Sequence, residues 1–325
     1  TSDAVEMVQS AMKRSEIARA INKMWPAQGA AALVRRVLTS PSALKVASEG
    51  VLEADERRGL QAHSARELKQ RGWSKEDLVL IDEADFLING TTRMFGHTIV
   101  DEAQDLSAME FRMIYRRTRG RSITILGDLA QATSPSAQSR WQDVLVHMGR
   151  PEGAEILELS LGYRVPAPLL EFANRLLPEA APDVTPARSV RESGTGPRIV
   201  RSTDGFLLQD ALDETRELAG VWQTVGVICP EALIGALVTS MSATDIRFGT
   251  LAHGGLDEPV TLLPPVAAKG LEFDAVLVVE PAEISAEAQG ARRLYVSLTR
   301  AVQQLTIVHE MELPRALRAE VVHSP

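Results

Sequence analysis

Apolar positions recur at three- and four-residue spacing through the first ninety residues. Val8 and Met12, then Ile17, Ile21 and Met24, follow that period, which predicts amphipathic helices. Pro26 and Gly29 interrupt it, and Leu33, Val34, Val37 and Leu38 form a second short apolar face. Pro41 suits the first turn of a third helix. Residues 52–70 form a charged amphipathic stretch that ends at Gly72. Ser74, with Asp77 three residues on, predicts a capping box for a helix reaching about Ile88. After Gly90 the pattern changes to short apolar runs bounded by turn residues, at 97–100, 122–126, 156–159, 199–201, 225–228, 260–263, 275–279 and 305–309. Helical stretches lie between most of them, at 107–118, 166–177, 207–222, 231–242 and 287–301. Strands and helices alternating at this length predict an α/β fold with parallel sheets covered on both faces. Residues 178–197 carry four prolines and two glycines and read as a long loop.

Composition narrows the class. With 325 residues the chain has room for two domains, and 45% apolar against 24% charged residues can bury a core. Lys plus Arg number 35 and Asp plus Glu 43, a net charge of −8, which excludes coating nucleic acid by bulk charge but leaves room for a local basic groove. A single cysteine, Cys229, excludes a disulfide framework and fits a reducing cytoplasm. No apolar run approaches the length of a membrane span. The chain opens Thr-Ser-Asp with no signal pattern, which reads as a start inside a longer protein.

Two stretches have the form of an apolar strand ending in paired acids, one to hold Mg²⁺ and one to activate water. Residues 78–85 contain Asp82-Glu83-Ala84-Asp85, but Leu78, Ile81, Ala84 and Leu87 continue at helical spacing behind the Ser74 cap, so this segment reads as an ordinary helix. Thr98-Ile99-Val100-Asp101-Glu102-Ala103-Gln104 is too short for a helix and precedes Asp105-Leu106-Ser107, where one can start; it is the preferred candidate. Ser242-Ala243-Thr244 invites a DEAD-box pairing with 82–85, yet it lies about 160 residues downstream and reads as a helix end. Thr124-Ile125-Leu126-Gly127-Asp128-Leu129-Ala130-Gln131 and Leu161-Gly162-Tyr163-Arg164 are weak signals individually. Ala268-Lys269-Gly270-Leu271-Glu272-Phe273-Asp274, a charged Gly-containing turn before a buried run, is a stronger place for a ligand to meet the sheet. Leu294-Tyr295-Val296-Ser297-Leu298-Thr299-Arg300-Ala301 sets Arg293 and Arg300 before the last strand.

In this order, over about residues 97–309, the pieces resemble motifs II to VI of the UvrD/Rep superfamily 1 helicases. Within that superfamily the chain is most similar to the HelD group, RNA-polymerase-associated motor-like proteins of Gram-positive bacteria. That likeness lies in Met24-Trp25-Pro26, in residues 97–107, in Gly127-Asp128-Leu129-Ala130-Gln131, and in Lys269-Gly270-Leu271-Glu272-Phe273-Asp274 with Glu280-Pro281. The resemblance implies RecA-like parallel sheets: a helical segment at 1–90, the C-terminal part of a first RecA-like domain at 91–155 and a nearly complete second one at 156–325. It implies that Asp101 holds Mg²⁺, Glu102 activates water and Gln131 senses the γ-phosphate of ATP or GTP. Tyr163 would stack on the base, Arg164 would reach the γ-phosphate, and Gly270 and Glu272 would approach the nucleotide. Arg300 would be an arginine finger in cis, facing Asp101 across a cleft.

Other features depart from that pattern. No G-x-x-x-x-G-K-[ST] loop occurs in these residues, so the segment is not expected to hydrolyse nucleotide alone, whereas its parent is. After Gln131 comes Ala132-Thr133-Ser134-Pro135-Ser136, with Trp141 only later, in place of aromatics that stack on single strands at roughly 1–3 kcal/mol per base. Val266 stands where the family has His, and Gly162 and Val165 depart from Asn-Tyr-Arg-Ser. Arg112, Arg116, Arg117, Arg119 and Arg121 form a basic cluster whose default reading is a solvated helix face. Trp25, Trp73 and Trp222 read as packing residues. Three functions are thereby set against one another: the C-terminal motor part of a cytoplasmic HelD-like ATPase that frees RNA polymerase from nucleic acid, a UvrD-like DNA helicase of repair, and a non-catalytic partner-binding module. The missing aromatics favour the first over the second, with nucleic acid bound only weakly through this portion. Retention of Asp101, Glu102, Gln131, Arg164 and Arg300 disfavours the third.

Overall fold

The structure, a computed structural model, describes residues 3–4, 6–8, 15–60, 67, 70, 72–90, 93–138, 140–149, 154–251 and 255–318. The expected pairing of Val8 with Met12, and much of the 52–70 stretch, lie outside the described residues. The chain divides into two compact units, Thr1–Thr98 with Met109–Thr124, and Ile99–Ala108 with Ile125–Pro325. Residues 99–108 and 125–155, which the resemblance assigns to a first domain, therefore share a unit with residues 156–325.

The first unit is mostly helical: α1 (Ser15–Met24), α2 (Ala30–Thr39), α3 (Pro41–Ala47), α4 (Ala54–Leu60), α5 (Lys75–Asn89) and most of α6 (Ala108–Arg116). Ser74 and Asp77 form the predicted capping box, with the Asp77 amide donating to Ser74 Oγ at 3.2 Å and the Ser74 amide to Asp77 Oδ2 at 2.9 Å. The acids at 82–85 thus sit on a helix, α5. Its Asp82 and Glu83 take up the basic cluster: Arg116 binds both, Arg117 binds Asp82, and Arg112 meets Glu83 at 3.0 Å. That corrects the solvated-face reading for Arg116 and Arg117; Arg112, Arg119 and Arg121 are exposed. Trp25 is 83% exposed rather than packed, while Trp73 lies under the Arg35 guanidinium at 5.1 Å. Strands β1 (Thr98–Val100) and β2 (Ile123–Ile125) pair with each other.

The second unit runs through α7 (Trp141–His147), β3 (Leu161–Gly162), α8 (Ala167–Asn174), α9 (Leu177–Ala180), β4 (Arg188–Ser189), β5 (Arg198–Arg201), α10 (Leu207–Val221), β6 (Val225–Ile228), α11 (Glu231–Ser242), β7 (Phe248–Thr250), β8 (Val260–Leu263), β9 (Phe273–Val279), α12 (Pro281–Ala286), α13 (Gly290–Leu298) and β10 (Ala301–His309). Six strands make one sheet in the order β5-β10-β9-β6-β8-β7, every pair parallel. Alternation along β9 explains both cores. Val276 and Val278 pack with Leu169, Phe172 and Leu177 of α8 and α9 and with Leu294, Tyr295 and Leu298 of α13. Ala275, Leu277 and Val279 pack with Ala211, Leu212 and Leu218 of α10 and Leu237 and Met241 of α11. Strands buried on both faces carry near-continuous apolar runs, and each such side chain contributes about 1.5–3 kcal/mol. Cys229, just after β6, is fully buried in the second core, where desolvation, then the neighbouring Glu231, pushes its thiol up to about 12.

The predicted run at 156–159 is not a strand. Ile156, Leu157 and Leu159 are exposed, and the ladder starts only where the Arg188 amide donates to Ser160 O at 2.8 Å. The predicted helix at 166–177 breaks after Asn174 into α8 and α9, the second beginning with Pro178 in its first turn. Ser242 ends α11, as read from the sequence.

Candidate functional site

The candidate residues from Asp101 to Arg300 all belong to the second unit. Asp101 follows β1, and its Oδ1 accepts the Glu102 amide at 2.8 Å. Glu102 has φ 53°, a left-handed conformation that redirects the chain into the single 3₁₀ turn Ala103–Asp105. Gln104, buried in that turn, donates to Glu102 Oε2 at 2.7 Å, and its Oε1 accepts the Asp128 amide at 3.2 Å. Gly127 makes this approach sterically feasible. A Cβ there would stand 2.6 Å from Gln104 Oε1 and 3.0 Å from the Trp141 ring.

Asp128 caps the next turn, Leu129–Gln131, by accepting the Ala130 amide at 2.9 Å and the Gln131 side-chain amide at 2.7 Å. Gln131 Oε1 in turn accepts a hydrogen bond from Arg300 Nη2 at 2.9 Å. Arg300 is only 2% exposed. Its guanidinium also donates to Val296 O at 3.0 Å, Leu271 O at 3.3 Å and Thr299 Oγ1 at 3.1 Å. The side chain is enclosed by acceptors from its own turn, from the 268–271 turn and from Gln131. Burial lowers its pKa to about 10, with Arg164 adding to the effect and Glu272, Asp128 and Glu102 opposing it, so it stays charged at neutral pH.

Lys269 and Asp105, which lie within the motifs but take no role from the resemblance, form an ion pair. Lys269 Nζ bonds Asp105 Oδ2 and lies 3.5 Å from Glu102 Oε2. Asp105 Oδ1 accepts the amides of Thr133 and Ser134 at 2.8 and 3.0 Å. Burial works against its ionisation, but Lys269 and those two amides outweigh it and hold the carboxyl below its ordinary range. Gly270 has φ +75°, a conformation suited to glycine, and forms the turn between Lys269 and the Leu271 carbonyl. Glu272 pairs with Arg164 Nη1 at 2.5 Å, and Arg164 Nε is buried with no hydrogen-bond partner. Tyr163 is 71% exposed and is not packed against the others. Among the described residues no group of three or more His, Cys, Asp or Glu side chains is placed to hold a metal ion by itself. The sequence signal for Gln104, Asp105 and Lys269 is their place inside the motifs, one to three residues from Glu102 or Gly270.

The contacts form one chain of polar links, from Glu102 through Gln104, Asp128 and Gln131 to Arg300, with Lys269 closing on Glu102 from another side. Chemically, a carboxylate, an amide and guanidiniums gathered at one place can hold an anion, orient water and neutralise charge as it develops.

Among solved structures, the C-terminal domain of a possible DNA helicase from Lactobacillus plantarum WCFS1 is 24% identical, with a TM-score of 0.39 over 50% of this chain and 95% of its own. An Arterivirus nonstructural protein 10 helicase in complex with DNA is 17% identical, TM-score 0.36, over 67% of this chain and 40% of its own. The Sulfolobus solfataricus SWI2/SNF2 ATPase core with double-stranded DNA is 15% identical, TM-score 0.28, over 35% and 27%. No curated protein matches the chain. The fold is α/β with one six-stranded parallel sheet, as the alternation of strands and helices predicted. No described helix is long and apolar enough to cross a membrane. Residues 266–308, which carry Lys269, Gly270, Glu272 and Arg300, match the sequence profile of the UvrD-like helicase C-terminal domain, and in that stretch this chain is similar to that family.

Proposed function

We propose that this chain is the C-terminal motor part of a HelD-like superfamily 1 ATPase, which binds RNA polymerase and uses ATP, or GTP, to release it from nucleic acid. The observation that carries the reading is the linked set Glu102, Gln131 and Arg300 within one compact unit. The residues fit a nucleotide with Mg²⁺ as far as this segment extends. Asp101 and Glu102 are hard oxygen donors of the kind Mg²⁺ takes. The Arg164 Nε, buried without an acceptor, suits a phosphate oxygen. Mg²⁺ when bound supplies charge neutralisation on the phosphates.

The chain's own groups do the rest. Glu102 Oε accepts the proton of the attacking water, with Gln104 holding its carboxylate. Gln131 passes from Arg300 to the terminal phosphoryl oxygens, and Arg164 leaves Glu272 for the same charge. Tyr163, exposed, is free to meet the base. Because no aromatic follows Gln131 through residue 138 and the net charge is −8, single-stranded DNA is bound weakly and in a salt-sensitive way, and RNA polymerase is the principal partner.

The test titrates labelled oligonucleotide and purified RNA polymerase in parallel against the full-length protein at low and near-physiological salt. Tight polymerase binding with weak, salt-sensitive DNA binding is expected. Tight, salt-resistant DNA binding with DNA-stimulated hydrolysis and no polymerase complex overturns the proposal in favour of a repair helicase.

A further inference from the structure

Arg191 lies in the proline-rich stretch that the sequence presents as a loop, outside every motif and outside residues 266–308. The structure gives it an unexpected set of bonds. Its Nη1 donates to the carbonyl oxygen of Arg164 and, at 2.9 Å, to that of Val302, while Nη2 donates to Gln303 Oε1 at 3.0 Å. Arg164 is one of the two guanidiniums assigned to phosphate, and Val302 stands two residues after the other, Arg300. One planar group therefore fixes both segments by their backbones.

The backbone of the loop is itself held against residues 160–167. β3 and β4 pair through Leu161 with Arg188 and Gly162 with Ser189. Ser189 Oγ donates to Val165 O at 2.6 Å and accepts the Arg191 amide at 3.0 Å, and the Ala167 amide donates to Arg191 O at 2.8 Å. The segment 188–191 is a strap laid along the Arg164 segment, with Arg191 reaching from it to the start of β10.

We infer that Arg191 is a positioning residue for phosphate-directed chemistry: it sets the spacing between Arg164 and Arg300, so that both guanidiniums address one phosphoryl group. This rests on the ATPase reading above. Arginine suits the task because its rigid fork serves several acceptors at once; a lysine ammonium, one compact charge on a flexible stem, does not hold two carbonyls and an amide at fixed angles.

The experiment is steady-state ATP hydrolysis by the full-length protein, with thermal unfolding measured in parallel. Arg191→Ala is expected to lower kcat by up to about 100-fold, the scale of an ångström of misplacement, with KM little changed. Arg191→Lys and Gln303→Ala fall between it and the parent. A purely structural role slows turnover by the same factor in any background; a role in spacing the two guanidiniums makes the Arg191→Ala loss clearly smaller in an Arg164→Ala background than in the parent. Multiplicative losses in the double variant, or unchanged kcat in Arg191→Ala, overturn the inference. Should Arg191→Ala fail to fold, unchanged kcat in both Arg191→Lys and Gln303→Ala overturns it equally. Glu102→Gln separates the two levels: with that variant dead, a failed Arg191 cycle removes only the positioning role. If Glu102→Gln hydrolyses ATP as the parent does, or the parent does not hydrolyse it, the ATPase reading and the role of Arg191 fall together.

Discussion

Replacing Lys269 by Met removes an ammonium while keeping most of its stem, so the loss is one of charge rather than packing. The side chain is 15% exposed and its partner Asp105 28%. Exposed pairs contribute about 0–1 kcal/mol, and breaking a fully buried one costs about 3–5 kcal/mol. Asp105 keeps the Thr133 and Ser134 amides after the substitution, so its charge is not wholly uncompensated. A cost of about 2 kcal/mol lies between those limits. For a unit of roughly 200 residues that is a fall of about 4–8 °C in Tm. The pH dependence carries a sign. Asp105 is depressed below its ordinary 3.8, so its contribution is fully present above that value and is lost as pH falls through the folded-state pKa. Thermal unfolding of the 325-residue chain and its Lys269→Met variant, followed from neutral pH down to about 3, should give a constant gap that closes only below about 4. A gap under about 1 °C at neutral pH, or one equally wide at pH 3, would refute the argument.

Arg300→Ala in the full-length protein should slow turnover by about 10³–10⁵-fold, as loss of an arginine finger does, and Arg300→Lys should not restore it. It should also lower Tm, because the Val296 and Leu271 carbonyls lose a buried donor; unfolding of the parent and variant under identical conditions checks this. Gly127→Ala should cost about 1–3 kcal/mol in urea unfolding, since the new methyl collides with Gln104 and Trp141. An unchanged midpoint for Gly127→Ala would mean the Gln104 turn can shift freely.

Much of the sheet was legible because its strands are buried on both faces. The runs at 225–228, 260–263, 275–279 and 305–309 are mostly apolar, and they form β6, β8 and much of β9 and β10. β3, β4 and β7 are two or three residues long, and nothing in so short a pattern distinguishes them from loop. The run at 156–159 has strand composition, but a strand is defined by a partner, and its residues find none within the described chain. The same limit governs the site. Motif order located Glu102, Gln131 and Arg300, whereas the enclosure of Arg300 follows from four acceptors far apart in sequence or contributed by its own turn. Asp82 and Glu83 engage arginines more than thirty residues away, so the sequence alone left that cluster looking solvated. Exposed Trp25 shows the reverse, a large aromatic whose burial cannot be assumed from its type.

Cys229 makes the molecule a ready-made background for site-directed labels. It is the single cysteine in the sequence, it has no exposed surface, and burial holds its thiol far from the thiolate that reagents require. A maleimide dye should therefore leave the native chain unmodified without any cysteine being removed. A cysteine introduced at an exposed position such as Val266 would be the sole reactive thiol, and its fluorescence would report on the 265–270 turn directly.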